Sequence, residues 1–128
     1  MSAASNTALV RRLCEAGGDA AVIQEPTSAD LVWDVTPGFP CGGVYHGAEG
    51  VFDYFGKLMP QVDSWHTEVE GYHASGDARV FVVGHYRPAK NGVSEPVRFI
   101  QQWTVRDGKL ARMYQAAASA VAQRLVNG

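Results

Sequence analysis

A chain of 128 residues, 46% of them hydrophobic and 19% charged, has the size and composition of one soluble domain, residues 1–128, built on one core. Its formal charge of -2 shows no basic excess to draw it to nucleic acid, and no stretch approaches the roughly 18 apolar residues of a membrane span. The opening MSAASNTALVRRLCEAGG lacks a basic run followed by an apolar one, so a cytoplasmic location is the default expectation.

In chain order, Asn6 or Thr7 is placed to cap a first helix in which Leu9, Val10, Leu13 and Cys14 recur at helical spacing, and Gly17-Gly18 stops it. Asp19 opens a short second helix, Ala20 to Gln24, ended by Pro26 because the residue before proline avoids the α region. Leu31 to Val35 reads as the first strand, with Leu31, Trp33 and Val35 on one side and Val32 and Asp34 on the other. The loop TPGFPCGGVYH is too rich in Gly and Pro for regular structure and suits the lip of a site. Gly47 opens a third helix carrying Val51, Phe52, Phe55, Leu58 and Met59 along one stripe, ended by Pro60.

From Val62 the hydrophobic period changes to two. Four strands follow, Val62 to Ala74, Ala78 to Arg87, Val97 to Val105 and Leu110 to Gln115. Ser75-Gly76-Asp77, Lys90-Asn91-Gly92 and Asp107-Gly108 supply the turn chemistry of an antiparallel meander. Ala116 to Leu125 has the composition of a terminal helix. Helices first and strands after make an α+β order, in which helices cover one face of a curved sheet and a pocket lies between the layers.

Several chemistries are missing from the residue pattern. Cys14 and Cys41 have no CxxC or Cys/His spacing and read as free thiols, and the four histidines form neither HExxH nor His-x-His, so no metal is expected. No Gly-rich loop ends in Lys-Ser/Thr, so no nucleotide cofactor is expected either. What stands out is Asp34, an acid among apolar neighbours: it either faces solvent or marks a site, since burying an unpaired carboxylate costs several kcal/mol. His46 closes the Gly/Pro loop, and His73 shares an alternation phase with Trp65, Thr67 and Val69, the more apolar and hence inward phase. Either is a candidate acid/base companion of Asp34. The aromatic residues Trp33, Trp65, Trp103, Tyr54, Tyr72, Tyr86 and Tyr114, with Val32 nearby in the first strand, suit the wall of an apolar pocket.

Four pieces, GGDAAVIQ, ADLVWDVTP, YHGAEGVFDYFGKL and QQWTVRDGKLARM, in this order and at these spacings, resemble the nuclear transport factor 2-like superfamily, which includes ketosteroid isomerases and SnoaL-type polyketide cyclases. The resemblance covers nearly the whole chain from Thr7 onward and implies a cone-shaped, antiparallel sheet packed against N-terminal helices. It places Asp34 where ketosteroid isomerases keep a carboxylate base, and Gln101 where they keep a protonated acid that donates to the substrate oxygen. Met113, Trp103, Phe99 and Val82 match pocket-lining positions, and Phe55 a helix position where a tyrosine supports the oxyanion donor. Two departures stand beside these matches: the first helix has no tyrosine, and the aspartate that often ends the last strand of the cyclases is replaced by Gln115 within Tyr114-Gln115-Ala116.

The resemblance thus implies a cofactor-independent isomerase, cyclase or lyase acting on a small hydrophobic carbonyl or polyketide-like compound, with Asp34 as general base and Gln101 as polarising donor. The competing expectation is a dimeric module of the same fold that holds a small ligand without chemistry. A homodimer through the open sheet face is expected in either case, because the outward phase of the central strands carries apolar side chains such as Ile100, Phe81 and Val83.

Overall fold

The computed structural model describes residues 3–15 and 23–127. In chain order they comprise α1 (Ala3–Cys14), β1 (Thr27–Val35), β2 (Gly43–His46), α2 (Gly47–Leu58), a 3-10 turn (Met59–Gln61), β3 (Ser64–Ser75), β4 (Arg79–Lys90), the two-residue β5 (Val93–Ser94), β6 (Val97–Arg106), β7 (Lys109–Ala117) and α3 (Ser119–Asn127). The strands form one sheet in the order β2-β1-β7-β6-β4-β3, with β5 added to β4. The architecture is the expected α+β one, but the sheet is mixed: β1 runs parallel to β7, with Trp33 beside Met113 and Val35 beside Gln115, while the other pairings are antiparallel. Of the expected second helix, residues 20–22 lie outside the described residues, as do Gly17, Gly18 and Asp19; Ile23 and Gln24 are helical.

Helix α1 starts earlier than expected, which puts Asn6 and Thr7 inside it rather than at its cap. Asn6 is buried and its Nδ2 donates to the Asp77 carbonyl at 2.7 Å, pinning the helix to the β3-β4 turn; Thr7 Oγ1 donates back to the Ala3 carbonyl at 2.8 Å. Helix α2 buries Val51, Tyr54 and Leu58, and Phe52, Phe55 and Met59 flank that stripe half-buried. The loop expected to lack regular structure folds in its second half: Gly43–His46 pairs antiparallel with β1, because β1 is otherwise an unpaired edge and four residues after the Gly42-Gly43 turn are enough to cover it. The two turns Asn91-Gly92 and Asp107-Gly108 hold both residues at positive φ (53° and 78°, 53° and 74°), the geometry whose twist matches paired strands.

One irregularity decides which way side chains point. In the β3-β4 pair Val69 stands opposite Gly84 but Gly71 opposite Val83, so Glu70 is an extra residue on β3. A one-residue bulge reverses the alternation beyond it. Trp65, Thr67 and Val69 share the inner face with Tyr72 and Ala74, and His73 turns outward opposite Phe81, exposed. The expectation of an inward His73 is corrected for this reason.

The inner face carries the core. Val80, Val82, Phe99, Trp103 and Met113 are at most 1% exposed, and helices α1 and α2 lie over them. Helix α3 closes one end, burying Ala122, Leu125 and Val126, and its Gln123 Nε2 donates to the Gly38 carbonyl at 2.8 Å, which ties the Gly/Pro loop down.

Candidate functional site

Between the inner face and the helices lies a cavity of about 920 Å³. Its walls are mostly apolar, with Leu13 from α1, Phe55 and Leu58 from α2, and Trp33 and Met113 from the sheet. A mostly apolar hollow of this size with a few convergent polar groups is the ordinary form of a small-molecule site. The polar groups here come from three adjacent strands.

Gln101 on β6 and Gln115 on β7 stand directly opposite each other on the inner face, both buried. Each amide has a fixed orientation. The indole Nε1 of Trp103 donates to Gln101 Oε1 at 2.9 Å, and since an indole nitrogen only donates, the atom facing it must be the amide oxygen. The backbone N–H of Thr36 donates to Gln115 Oε1 at 3.3 Å and sets the second amide in the same way, while the Thr36 hydroxyl donates to the Gln115 carbonyl. Both NH2 groups therefore point at one acceptor, the hydroxyl of Tyr86 on β4: Gln101 Nε2 at 2.7 Å and Gln115 Nε2 at 3.2 Å.

A phenol oxygen has two lone pairs, and here the two amides fill them. The Tyr86 proton must then be donated elsewhere, and the hydroxyl donates no hydrogen bond to an acceptor among the described residues. The cavity, which Tyr86 lines, is the space left for that acceptor. The ring itself cannot swing away: it stacks on Phe99 with centroids 4.2 Å apart and is flanked edge-on by Phe39 at 5.9 Å and by Trp65 at 5.2 Å. Burial pushes the Tyr86 hydroxyl up to about 12, against the opposing pull of the hydrogen bonds from Gln115 and Gln101, so it stays a protonated donor. Burial raises the Tyr54 hydroxyl on α2 as well, with the neighbouring Tyr86 adding to the effect.

These shifts carry a stability consequence. An unfolded tyrosine releases its proton near pH 10, whereas folded Tyr86 keeps it to about 12, so folding binds the extra proton in that window. Stability from this group is complete below pH 10 and is lost as pH rises from 10 toward 12. Thermal melts followed by circular dichroism should show the midpoint falling as pH rises from 10 toward 12, less steeply in Tyr86→Phe. An equally steep fall in that variant would contradict the assignment.

Of the residues expected at the site, the structure brings Gln101, Trp103, Met113, Phe55 and Tyr86 to the cavity wall. Phe99 and Val82 share the inner face but do not line the hollow, Phe99 backing Tyr86 instead. Asp34, Val32 and His46 are corrections, as is His73. Asp34 alternates with buried Trp33 and Val35, so its side chain leaves by the outer face, where its Oδ2 lies 3.4 Å from Arg112 Nη2. Val32 shares that face, with exposed His46 directly across from it on β2. Asp34 and Gln101 thus lie on opposite sides of the sheet. Asp34→Asn should leave ligand binding unchanged and shift stability by less than about 1 kcal/mol, since Arg112 is 48% exposed and such pairs are weak; loss of binding in that variant would refute this placement.

Trp33 and Tyr54, two of the aromatic residues expected to suit a pocket, also line the wall, and Gln115 is a wall residue that was not singled out as a candidate. The signal for Gln115 was present in its phase: it shares the alternation of Met113, as Gln101 shares that of Trp103. Among the described residues the carboxylate lining the cavity is that of Glu15, exposed at the rim, where the guanidinium of nearby Arg11 lies 4.8 Å above the Tyr72 ring.

The fold recurs in solved structures of low sequence identity. TerC, co-crystallised with polyporic acid, is 21% identical over 97% of this chain and 99% of its own, with a TM-score of 0.88. An NTF2-like protein of unknown function from Burkholderia pseudomallei is 24% identical over the whole of both chains, TM-score 0.88. A SnoaL-like polyketide cyclase, so described, from Jannaschia is 16% identical over 98% of this chain and 93% of its own, TM-score 0.81. No curated protein matches the sequence. The model of the SnoaL-like domain family matches residues 8–113. With the inner face, the covering helices and the cavity all inside or beside that span, the chain belongs to the SnoaL-like domain family.

Proposed function

We propose that the protein is a cofactor-independent enzyme of the isomerase or cyclase type, which binds a small, mostly apolar carbonyl compound in the cavity and polarises its oxygen with the Tyr86 hydroxyl. One observation carries this reading: Gln101 and Gln115 occupy both lone pairs of that hydroxyl, which commits its proton to whatever enters the cavity. A fixed donor stabilises the enolate-like oxygen that forms when a base entering from solvent, water or buffer, takes the proton from the carbon beside a carbonyl, and costs no reorganisation at that moment. Family membership and the likeness to a protein described as a polyketide cyclase support the reaction class.

Exchange of the α-protons of 1-tetralone in heavy water, followed by NMR, tests this without knowledge of the natural substrate. Exchange well above the buffer rate is expected, and absence of both exchange and binding would overturn the proposal. Polyporic acid, with which TerC was co-crystallised, serves as a second binding probe. A second reading, ligand binding without turnover, is favoured by the position of Asp34: no carboxylate among the described residues reaches the donor cluster. Binding without exchange would select it.

The expected dimer is also a proposal. Val44, Ile100 and Tyr114 are 54%, 49% and 51% exposed on the outer face, apolar surface that a second copy would cover. Sedimentation should then show a dimer, weakened in Ile100→Glu; a monomer at all concentrations would contradict it.

A further inference from the structure

The mouth of the cavity carries a cation that the carbonyl reading does not use. The exposed members of the wall, Arg11 and Glu15 on α1, Gly56 on α2 and Thr67 on β3, mark where the hollow meets solvent. Arg11 is held there, because its guanidinium lies 4.8 Å above the ring of Tyr72, itself a wall residue. None of the ion pairs among the described residues includes Arg11, whereas the adjacent Arg12 is paired with Glu25. Glu15, one turn along the helix, is exposed and forms no such pair with it. Burial raises the Tyr72 hydroxyl to about 12, against the opposing pull of Arg11, so the ring beneath the guanidinium brings no charge to neutralise it.

The strand register sets how far this cation stands from the donor cluster. Tyr72 pairs with Val82 on β4, and Tyr86 lies four residues along the same strand on the same inner face, about 13 Å away at the usual strand rise. Val69, which also lines the cavity, stands beside Gly84 midway between them. We infer that Arg11 is a specificity-determining residue for an anionic end of the ligand: the cavity takes a ring compound whose carbonyl reaches Tyr86 and whose far end carries a carboxylate that meets the Arg11 guanidinium at the mouth. This rests on the reading of the cavity as a carbonyl site. The apolar skeleton fills the stretch along Val69, and the charge stays at the wet rim, so the ligand escapes the penalty of burying a carboxylate. The planar fork of an arginine matches both carboxylate oxygens. At an exposed rim such a pair is modest in strength, and it selects among compounds of one shape instead of supplying the bulk of the affinity.

The test uses probes on one bicyclic skeleton: 1-tetralone, its 6-carboxylate, with the charge at the end remote from the carbonyl, and the methyl ester of that acid, similar in shape and uncharged. Calorimetric titration at low salt should show the acid binding about fivefold more tightly than the ester, an advantage that shrinks as salt is added. Arg11→Gln should abolish the advantage and leave tetralone binding unchanged, while Arg11→Lys should keep part of it. His66→Gln should keep all of it, since His66 belongs to the outer phase of β3 opposite Arg87. Tyr86→Phe should weaken all the probes alike. An acid that binds no more tightly than the ester, or an advantage that survives Arg11→Gln, would overturn this inference and leave the carbonyl reading standing. Failure of every probe to bind would bring down the carbonyl reading and this inference with it.

Discussion

Replacing Tyr86 by phenylalanine is expected to slow the catalysed α-proton exchange of 1-tetralone by about 10²-fold, the usual loss when one fixed oxyanion donor is removed. The ring stays in place on Phe99, so apolar contacts with the ligand persist and binding should weaken far less than exchange. That split is the signature of a donor that acts more strongly on the reacting state than on the bound one. The variant also strands two amide NH2 groups in the core, those of Gln101 and Gln115, at a cost of about 1–3 kcal/mol. A domain of this size tolerates such a loss and remains folded. Steady-state exchange rates measured beside a thermal melt separate the two effects. Unaltered exchange in a folded Tyr86→Phe protein would remove the hydroxyl from the mechanism.

The largest effect on stability is expected at Gly84, on the strand that carries Tyr86. A Cβ built there would sit 2.2 Å from the Glu68 carbonyl oxygen and 3.0 Å from the Val69 Cα, both backbone atoms of β3 at its bulge. Neither can retreat without breaking the β3-β4 ladder. Gly84→Ala should therefore lower stability by about 3 kcal/mol, or roughly 10 °C in midpoint. Gly56 makes the control: it lies in α2 with nothing within 4 Å of a built Cβ, so Gly56→Ala should raise stability by about 0.5–1 kcal/mol through helix propensity alone. Thermal melts of the two variants decide the matter. Equal midpoints would show that the bulge is not a rigid close contact.

The sequence and the structure agree where periodicity alone decides the outcome. The stripe of α2, the alternation of β4 and β6 and the Asn-Gly and Asp-Gly turns were legible, because each is a local property of a few residues. His73 was not, since a bulge adds one residue to a strand without any mark in the hydrophobic pattern, and every side chain beyond it changes face. Strand β2 hid inside a Gly/Pro loop because its reason to exist is the exposed edge of β1, a tertiary fact. The alternation of β1 had already placed Asp34 opposite Trp33, yet an acid among apolar residues drew more weight than its phase; Arg112, supplied by the parallel strand β7, is what satisfies it. Gln101 was correctly placed on the inner face, and its amide takes a role that the resemblance did not imply, donating to Tyr86. Reading that role required the register that sets Gln101 against Gln115.

Everything proposed for the cavity depends on where one proton lies. Neutron diffraction from crystals exchanged into heavy water would locate the deuterium on the Tyr86 hydroxyl directly. The account predicts that it points into the cavity, with the amide deuterons of Gln101 and Gln115 directed at the phenol oxygen. A deuterium aimed instead at the oxygen of either glutamine would contradict the account.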